Sequence, residues 1–300
     1  MGGTGDRLEG GYGAGEGAGP PCDPDLPLVS IITVSLNSEE HIEQTIESVG
    51  GQSYDNIEYI VVDGGSEDST VDILRKHQDR ITCWISEPDN GTYDAMNKGI
   101  ALCRGEIIGM INSDDWYLPT AVEEIAKAAT DHAEADVFFG DLLVCYEDGS
   151  YMESLKGSLA GLTRDMTLNH PTVFVKRSSL GDKAFRTDLR LASDYELMLR
   201  LHSSGAVFHH VGKPIACYRT GGKSFDHRLR YRELYAVRRE YKLISRKGYR
   251  MRMMFLPLTA LTAGCEEYVI GRTFFGRPSK VILRVDRKLK SWLKVILRLS

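Results

Sequence analysis

"GEIIGMINSDDWYLP", residues 105–119, is an apolar run that stops at two adjacent carboxylates, Asp114 and Asp115, followed by an aromatic pair and a proline. An unbroken apolar run is how a strand covered on both faces reads, whereas a strand with one wet face alternates. The same pattern recurs upstream. "LVSIITVS" precedes a helical stretch over residues 38–49 with Ile42, Ile46 and Val49 on one face. "IEYIVVD" precedes "SEDSTVDILRKH", and "RITCWIS" is followed by the loop "EPDNGT" and the helix "YDAMNKGIALCRG". Strands alternating with helices predict an α/β fold around a mostly parallel sheet, in which ligands bind at the carboxyl ends of the strands. Those ends fall at residues 35–37, 62–69, 86–94 and 112–115, and three of the four carry acids.

After Gly140 the pattern changes to hairpin-like runs, "DLLVCYEDGSYMESL" and "PTVFVKR", then one helix, "SDYELMLRLHSSG", and the runs "AVFHHV" and "KPIACYRTGG". This second half is expected to wall one side of a crevice, with the substrate site between the halves.

The chain has 300 residues, 42% of them hydrophobic, enough for one large core or two modest ones. Residues 1–26 are Gly-rich and poor in aliphatics, so they are expected to be disordered. No secretory signal pattern is present, which points to the cytoplasm. The six cysteines are scattered without C-x-x-C pairs, which argues against a zinc site or a disulfide framework. The net charge of −5 conceals an asymmetry: residues 228–300 hold 19 Lys/Arg against 5 Asp/Glu, a net of +14, and the remainder carries −19. Within "SKVILRVDRKLKSWLKVILRLS", Ile282, Val285, Leu289, Trp292, Leu293 and Ile296 recur at helical spacing among basic residues. That is a basic amphipathic helix, suited to an anionic membrane surface rather than to nucleic acid; packing of its apolar stripe on the globular body is the alternative. The apolar run over 253–263 is too short to span a bilayer and contains Pro257, so no transmembrane helix is expected.

No G-x-G-x-x-G follows the first strand, where "SLNSEEHIEQ" has no glycine, and no P-loop exists. A crevice lined with acids repels a diphosphate unless a cation intervenes, and hard divalent ions take carboxylate oxygens while bridging phosphates. Asp114 and Asp115 therefore suit Mg²⁺ or Mn²⁺ holding a nucleotide diphosphate, against the plainer reading of a helix cap or solvated turn. Asp63, followed by two glycines, is either an acceptor for a base N–H or an Asx-turn residue.

"VSIITVSLN", "EYIVVDGGSEDST", "DNGTYDAMNKGIALCRGEIIGMINSDDWYLP" and "SDYELMLRL" together resemble the successive motifs of family 2 glycosyltransferases with the GT-A (Rossmann-like) fold, nearest to the bacterial group that makes O-antigen, colanic acid and similar surface polysaccharides. The resemblance covers about residues 28–225. It implies an inverting, metal-dependent transfer of a hexose from a UDP- or GDP-sugar to a lipid-linked or polysaccharide acceptor, on the inner face of the cell membrane. It assigns Asp114 and Asp115 to metal and ribose without dividing the roles. Thr33, Ser35, Leu36, Asn37, Asp63, Asp94 and Asn97 fall to the nucleotide sugar, with Asp63 on the base. Asp194 becomes the base that takes the acceptor proton; the alternative for Ser193 and Asp194 is a helix N-cap. His170, Arg219 and Ser224 are candidates for acceptor or diphosphate contacts, although a core histidine is the commoner fate of His170. The chain departs from the family pattern at Asn112, where an acid is frequent, at Leu36, where an aromatic often stacks the base, and at Ser193, where a second acid is frequent.

The expected domains are therefore a tail over 1–26, a GT-A domain over 27–227 divided at 118/119, and the basic tail over 228–300. Two other classes remain in view: a nucleotide-sugar-binding module without catalysis, and a sugar-1-phosphate nucleotidyltransferase, which normally carries a Gly-rich basic first loop.

Overall fold

The computed structural model describes residues 7–13, 23–146, 148–181, 184–220 and 226–254. The chain divides into two compact units, Met1–Lys223 and Ser224–Ser300.

The first unit is built on a ten-stranded sheet in the order β1-β4-β3-β2-β5-β9-β7-β10-β6, with β8 paired to β7. Its parallel centre consists of β2 (Val29–Ser35), β3 (Ile57–Asp63), β4 (Cys83–Ser86) and β5 (Ile107–Asn112). Every residue of β2 is buried, as its unbroken apolar run requires. The strands alternate with α1 (Ile42–Gly50), α2 (Thr70–Lys76) and α3 (Thr92–Leu102). In α1 the residues Ile42, Ile46 and Val49 are buried, spaced so that one helical face meets the sheet. At Gly99 of α3 a Cβ would lie 2.6 Å from Ile32 Cγ2, so glycine there sets how closely that helix approaches β2.

Beyond β5 the sheet becomes mixed. The short β6 (Trp116–Tyr117) and α4 (Ala121–Asp131) lead to β7 (Val137–Cys145), β8 (Tyr151–Leu155) and β9 (Val173–Lys176). The four-residue α5 (Arg177–Leu180), α6 (Ser193–Ser203) and β10 (Phe208–Arg219) complete this unit. Strand β9 lies antiparallel between β5 and β7, and β10 runs parallel to β7 and antiparallel to β6. The second half thus extends the first sheet rather than forming a wall of its own.

The expectation of a structureless segment over 1–26 fails at Leu8–Gly10, which forms β1 antiparallel to β4. The physical reason is local. Gly10 lies against Trp84, where a Cβ would sit 2.6 Å from the indole nitrogen, and Tyr12 adds hydrogen bonds from its N–H to the Ile81 carbonyl at 3.1 Å and between its hydroxyl and Thr82 Oγ1 at 2.9 Å.

In the second unit, α7 (His227–Glu240) is capped by Asp226, whose side chain accepts from the Leu229 N–H. Arg239 lies over the Tyr249 ring at 5.1 Å and Arg252 over Tyr235 at 5.8 Å. No helix among the described residues is long and apolar enough to cross a membrane. The amphipathic stretch around Trp292 lies outside the described residues.

Candidate active site

The acid turn leaves the end of β5 and is held from three directions. Asp115 is fully buried; its Oδ1 accepts the Arg219 backbone N–H at 3.1 Å and its Oδ2 the Asn112 amide at 3.4 Å. Its carbonyl accepts from Thr45 Oγ1 of α1 at 2.7 Å. Burial, and then the neighbouring Asp114 charge, push the Asp115 carboxyl well above the usual range. Arg219, 6% exposed at the end of β10, donates through Nε to the Asp114 carbonyl at 3.2 Å, reaches Gln44 Oε1 through Nη2 and lies over the Trp116 ring at 4.9 Å. Arg219 is thus a clasp on the acid turn.

The two carboxylates therefore differ. Asp115 points inward and is spent on holding the turn. Asp114 is half-buried, and its carboxylate accepts no side-chain or backbone hydrogen bond from another described residue. Burial raises its pKa, with His41 and Arg219 opposing. A desolvated carboxylate without a donor fits a divalent cation, whereas Asp115 does not face outward to share one. Among the described residues no group of three or more His, Cys, Asp or Glu side chains stands ready to hold a metal. Asn112 also acquires a reason: it donates to Asp115, where a third carboxylate would only accept.

Several residues expected on the nucleotide sugar are committed elsewhere. Asp63 is fully buried. Its Oδ1 accepts the hydroxyls of Ser35 and Ser66, and its Oδ2 accepts the Ser86 hydroxyl and the N–H groups of Gly65 and Ser66. Five donors thus converge on Asp63, which shapes the loop after β3 as an Asx-type residue. Thr33 is buried and accepts the Tyr59 hydroxyl at 3.1 Å, and Ser35 is buried on Asp63. Asn97 forms a closed pair with Phe185, donating to its carbonyl at 2.8 Å and accepting its N–H at 3.0 Å. Asp94 accepts the Asn90 N–H at 3.0 Å and holds the turn before α3. A strand-end or motif position does not show where a side chain's hydrogen bonds are used.

Leu36 is 56% exposed, and near it lies a half-buried carboxylate that the sequence reading did not single out, Asp89, whose Oδ1 accepts the Gly91 N–H at 2.7 Å. A Cβ on Gly64 would lie 2.5 Å from Asp89 Oδ2 and 3.5 Å from Leu36 Cδ1, so these three residues converge at the carboxyl ends of β2, β3 and β4. Asn37, also exposed, sits at φ 50° and ties this rim to the next loop, its N–H donating to Ser66 Oγ and its Oδ1 accepting from the Glu67 N–H. The signal for Asp89 was its Pro-Asp-Asn-Gly turn at the end of β4.

Asp194 stands in the first turn of α6. Neither it nor Ser193 caps that helix: the Ser193 hydroxyl accepts the Arg186 N–H at 2.7 Å, and Asp194 Oδ1 accepts the Tyr93 hydroxyl at 3.1 Å. Asp194 is among the residues that line a mostly apolar cavity of about 20 Å³, room for one water molecule, together with His170, Phe185 and the β5 residues Ile108 and Met110. His170 shares that cavity rather than the core, and burial lowers its pKa against the opposing pull of Asp194, so it is neutral at pH 7. Ser224 lies outside the described residues.

The model of the glycosyl transferase family 2 matches residues 30–185, and the chain belongs to this family. It is 36% identical over 183 residues to an uncharacterised glycosyltransferase of Mycobacterium tuberculosis, covering 58% of this chain and 68% of that protein. It is 31% identical over 209 residues to the chondroitin synthase of Escherichia coli, covering 64% of this chain but 29% of the synthase. Among solved structures, the fold is similar to the mannosyltransferase PcManGT of Pyrobaculum calidifontis in complex with GDP-Man and Mn²⁺, with a TM-score of 0.57 at 17% identity over 92% of this chain and 87% of that one. It is also similar to S. aureus TarS in complex with UDP-GlcNAc, with a TM-score of 0.56 at 16% identity over 75% of this chain and 70% of that one.

Proposed function

We propose that this glycosyltransferase moves a hexose, with inversion, from a UDP- or GDP-sugar to a lipid-linked or glycan acceptor in the assembly of a cell-surface polysaccharide, at the cytoplasmic face of the membrane. The observation that carries the reading is the arrangement along β5. Its end leads to Asp114, whose carboxylate accepts from no other described residue, and its middle, at Ile108 and Met110, lines the cavity that Asp194 also lines. One carboxylate for the donor and one for the acceptor is what an inverting displacement requires.

In this mechanism Leu36, Gly64 and Asp89 receive the base, with the Asp89 carboxylate accepting a base N–H in the role expected of Asp63. Mg²⁺ or Mn²⁺, held by Asp114, supplies charge neutralisation to the diphosphate. Asp194 takes the proton of the acceptor hydroxyl as its oxygen bonds to the anomeric carbon. The bond from that carbon to the diphosphate oxygen breaks, and the nucleoside diphosphate leaves with the electron pair. Asp115, Asn112 and Arg219 touch neither substrate and keep Asp114 in place.

The test is Asp194→Asn and Asp114→Ala, with UDP-GlcNAc and GDP-mannose as donors and Mn²⁺ present. Asp194→Asn should lower release of nucleoside diphosphate at least about 100-fold while donor binding stays within about twofold. Asp114→Ala should weaken donor binding with Mn²⁺ and make no difference in excess EDTA. Retention of more than about a tenth of kcat by Asp194→Asn is incompatible with a general base.

A further inference from the structure

The Tyr93 hydroxyl is the one described donor that reaches the Asp194 carboxylate, at 3.1 Å, and it also meets the backbone N–H groups of Ser193 and Asp194 at the start of α6. Its ring stacks on Phe185 with centroids 5.4 Å apart and planes 17° from parallel. Phe185 in turn is fixed through its backbone by Asn97, one helical turn beyond Tyr93 on the same face of α3. Two residues on one face of α3 thus grip the segment that leads into α6, and one of them ends on the carboxylate. Burial, and then the Asp194 charge, hold the Tyr93 phenol well above 10, so it stays a donor across the working pH range.

We infer that Tyr93 is a positioning residue for the acceptor-side base: its hydroxyl ties Oδ1 of the Asp194 carboxylate and so leaves the second oxygen, Oδ2, to act as the base. This rests on the reading of Asp194 as that base. The chemistry explains the choice of tyrosine. A rigid aromatic stacked on Phe185 delivers a hydroxyl with little freedom left to lose, whereas a serine or threonine at the same position on α3 is too short to cross to α6. A carboxylate with one oxygen tied keeps a single rotamer, and misplacement of a reacting group by about 1 Å can cost 100-fold in rate.

The experiment compares wild type, Tyr93→Phe, Asp194→Asn and the double variant in the full chain. Donor turnover is measured as release of UDP from UDP-GlcNAc or GDP from GDP-mannose with Mn²⁺, donor binding by calorimetry, and each variant's structure by crystallography. Tyr93→Phe keeps the stacked ring, so its melting temperature should stay close to that of wild type. Its kcat should fall about 10- to 100-fold with the donor KM and binding unchanged, and its Asp194 side chain should leave the wild-type rotamer while Phe185 stays. In the double variant, Tyr93→Phe should add no further loss to Asp194→Asn, because it acts only through that carboxylate. Full activity in Tyr93→Phe alongside an inactive Asp194→Asn overturns the positioning role and leaves the base intact. An active Asp194→Asn overturns the base itself. Should turnover of both donors prove too slow to measure, an unmoved Asp194 in the Tyr93→Phe structure overturns the inference.

Discussion

Arg219 and Asp115 are 104 residues apart in the chain, yet the backbone N–H of one donates to the carboxylate of the other at 3.1 Å, while the same arginine's side chain spans Asp114, Gln44 and Trp116. Truncation to alanine leaves the backbone bond in place and removes the rest. Arg219→Ala should therefore destabilise the protein by about 2–4 kcal/mol, the cost of losing charged, nearly buried hydrogen bonds, measured by urea unfolding. It should also weaken Mn²⁺-dependent donor binding about tenfold, the consequence of a loosened Asp114. Arg219→Lys should recover less than half of the loss, because a point charge cannot reproduce the planar fork. Wild-type binding by the alanine variant would show that the clasp does not shape the donor side.

The rings of His132, at the end of α4, and His209, on β10, stack with centroids 3.8 Å apart. Burial, and then His132, lower the His209 pKa below its ordinary 6.5. The unfolded chain therefore takes up this proton more readily than the folded one, so the stability at stake is fully present above about pH 6.5 and is lost as pH falls through the lowered folded-state value. Wild type should lose more unfolding free energy between pH 7.5 and 5.5 than His209→Asn does. Parallel losses in the two proteins would remove the stacked pair as the cause.

The membrane reading can be tried on residues the structure describes. Arg228, Arg232, Arg239, Lys242, Arg246, Lys247 and Arg250 are exposed in the second unit, and each basic residue near an anionic surface contributes about 1 kcal/mol. Reversing Arg246, Lys247 and Arg250 to Glu should weaken sedimentation with phosphatidylserine-containing vesicles more than about 100-fold at low salt while leaving hydrolysis of a soluble donor unchanged. High salt should release the wild-type protein by screening. A wild-type chain that ignores such vesicles at low salt ends the proposal.

The parallel centre and the acid turn were legible because both are written in local pattern: uninterrupted runs such as Val29–Ser35 and Ile107–Asn112, each followed by polar strand-end residues. What stayed hidden depends on distant partners. Nothing near Asn97 in the chain announces that its amide closes on Phe185, 88 residues on, nor anything near Asp63 that three serine hydroxyls converge on its carboxylate. The surroundings of Asp114 and Asp115 differ for the same reason, since the backbone N–H of the distant Arg219 meets the Asp115 carboxylate. Strand β1 escaped notice because glycine-rich composition measures average burial, and a single Gly10 against Trp84 needs none of that average.

That short strand has a consequence for how copies of the chain behave toward one another. Without Leu8–Gly10, β4 would end the sheet with its amides and carbonyls open to solvent, a template on which a strand of a second molecule can add. The segment occupies that template from within the same chain, where its local concentration exceeds any that a separate molecule reaches. A strand of a second molecule would first have to displace Leu8–Gly10 before it could add to β4.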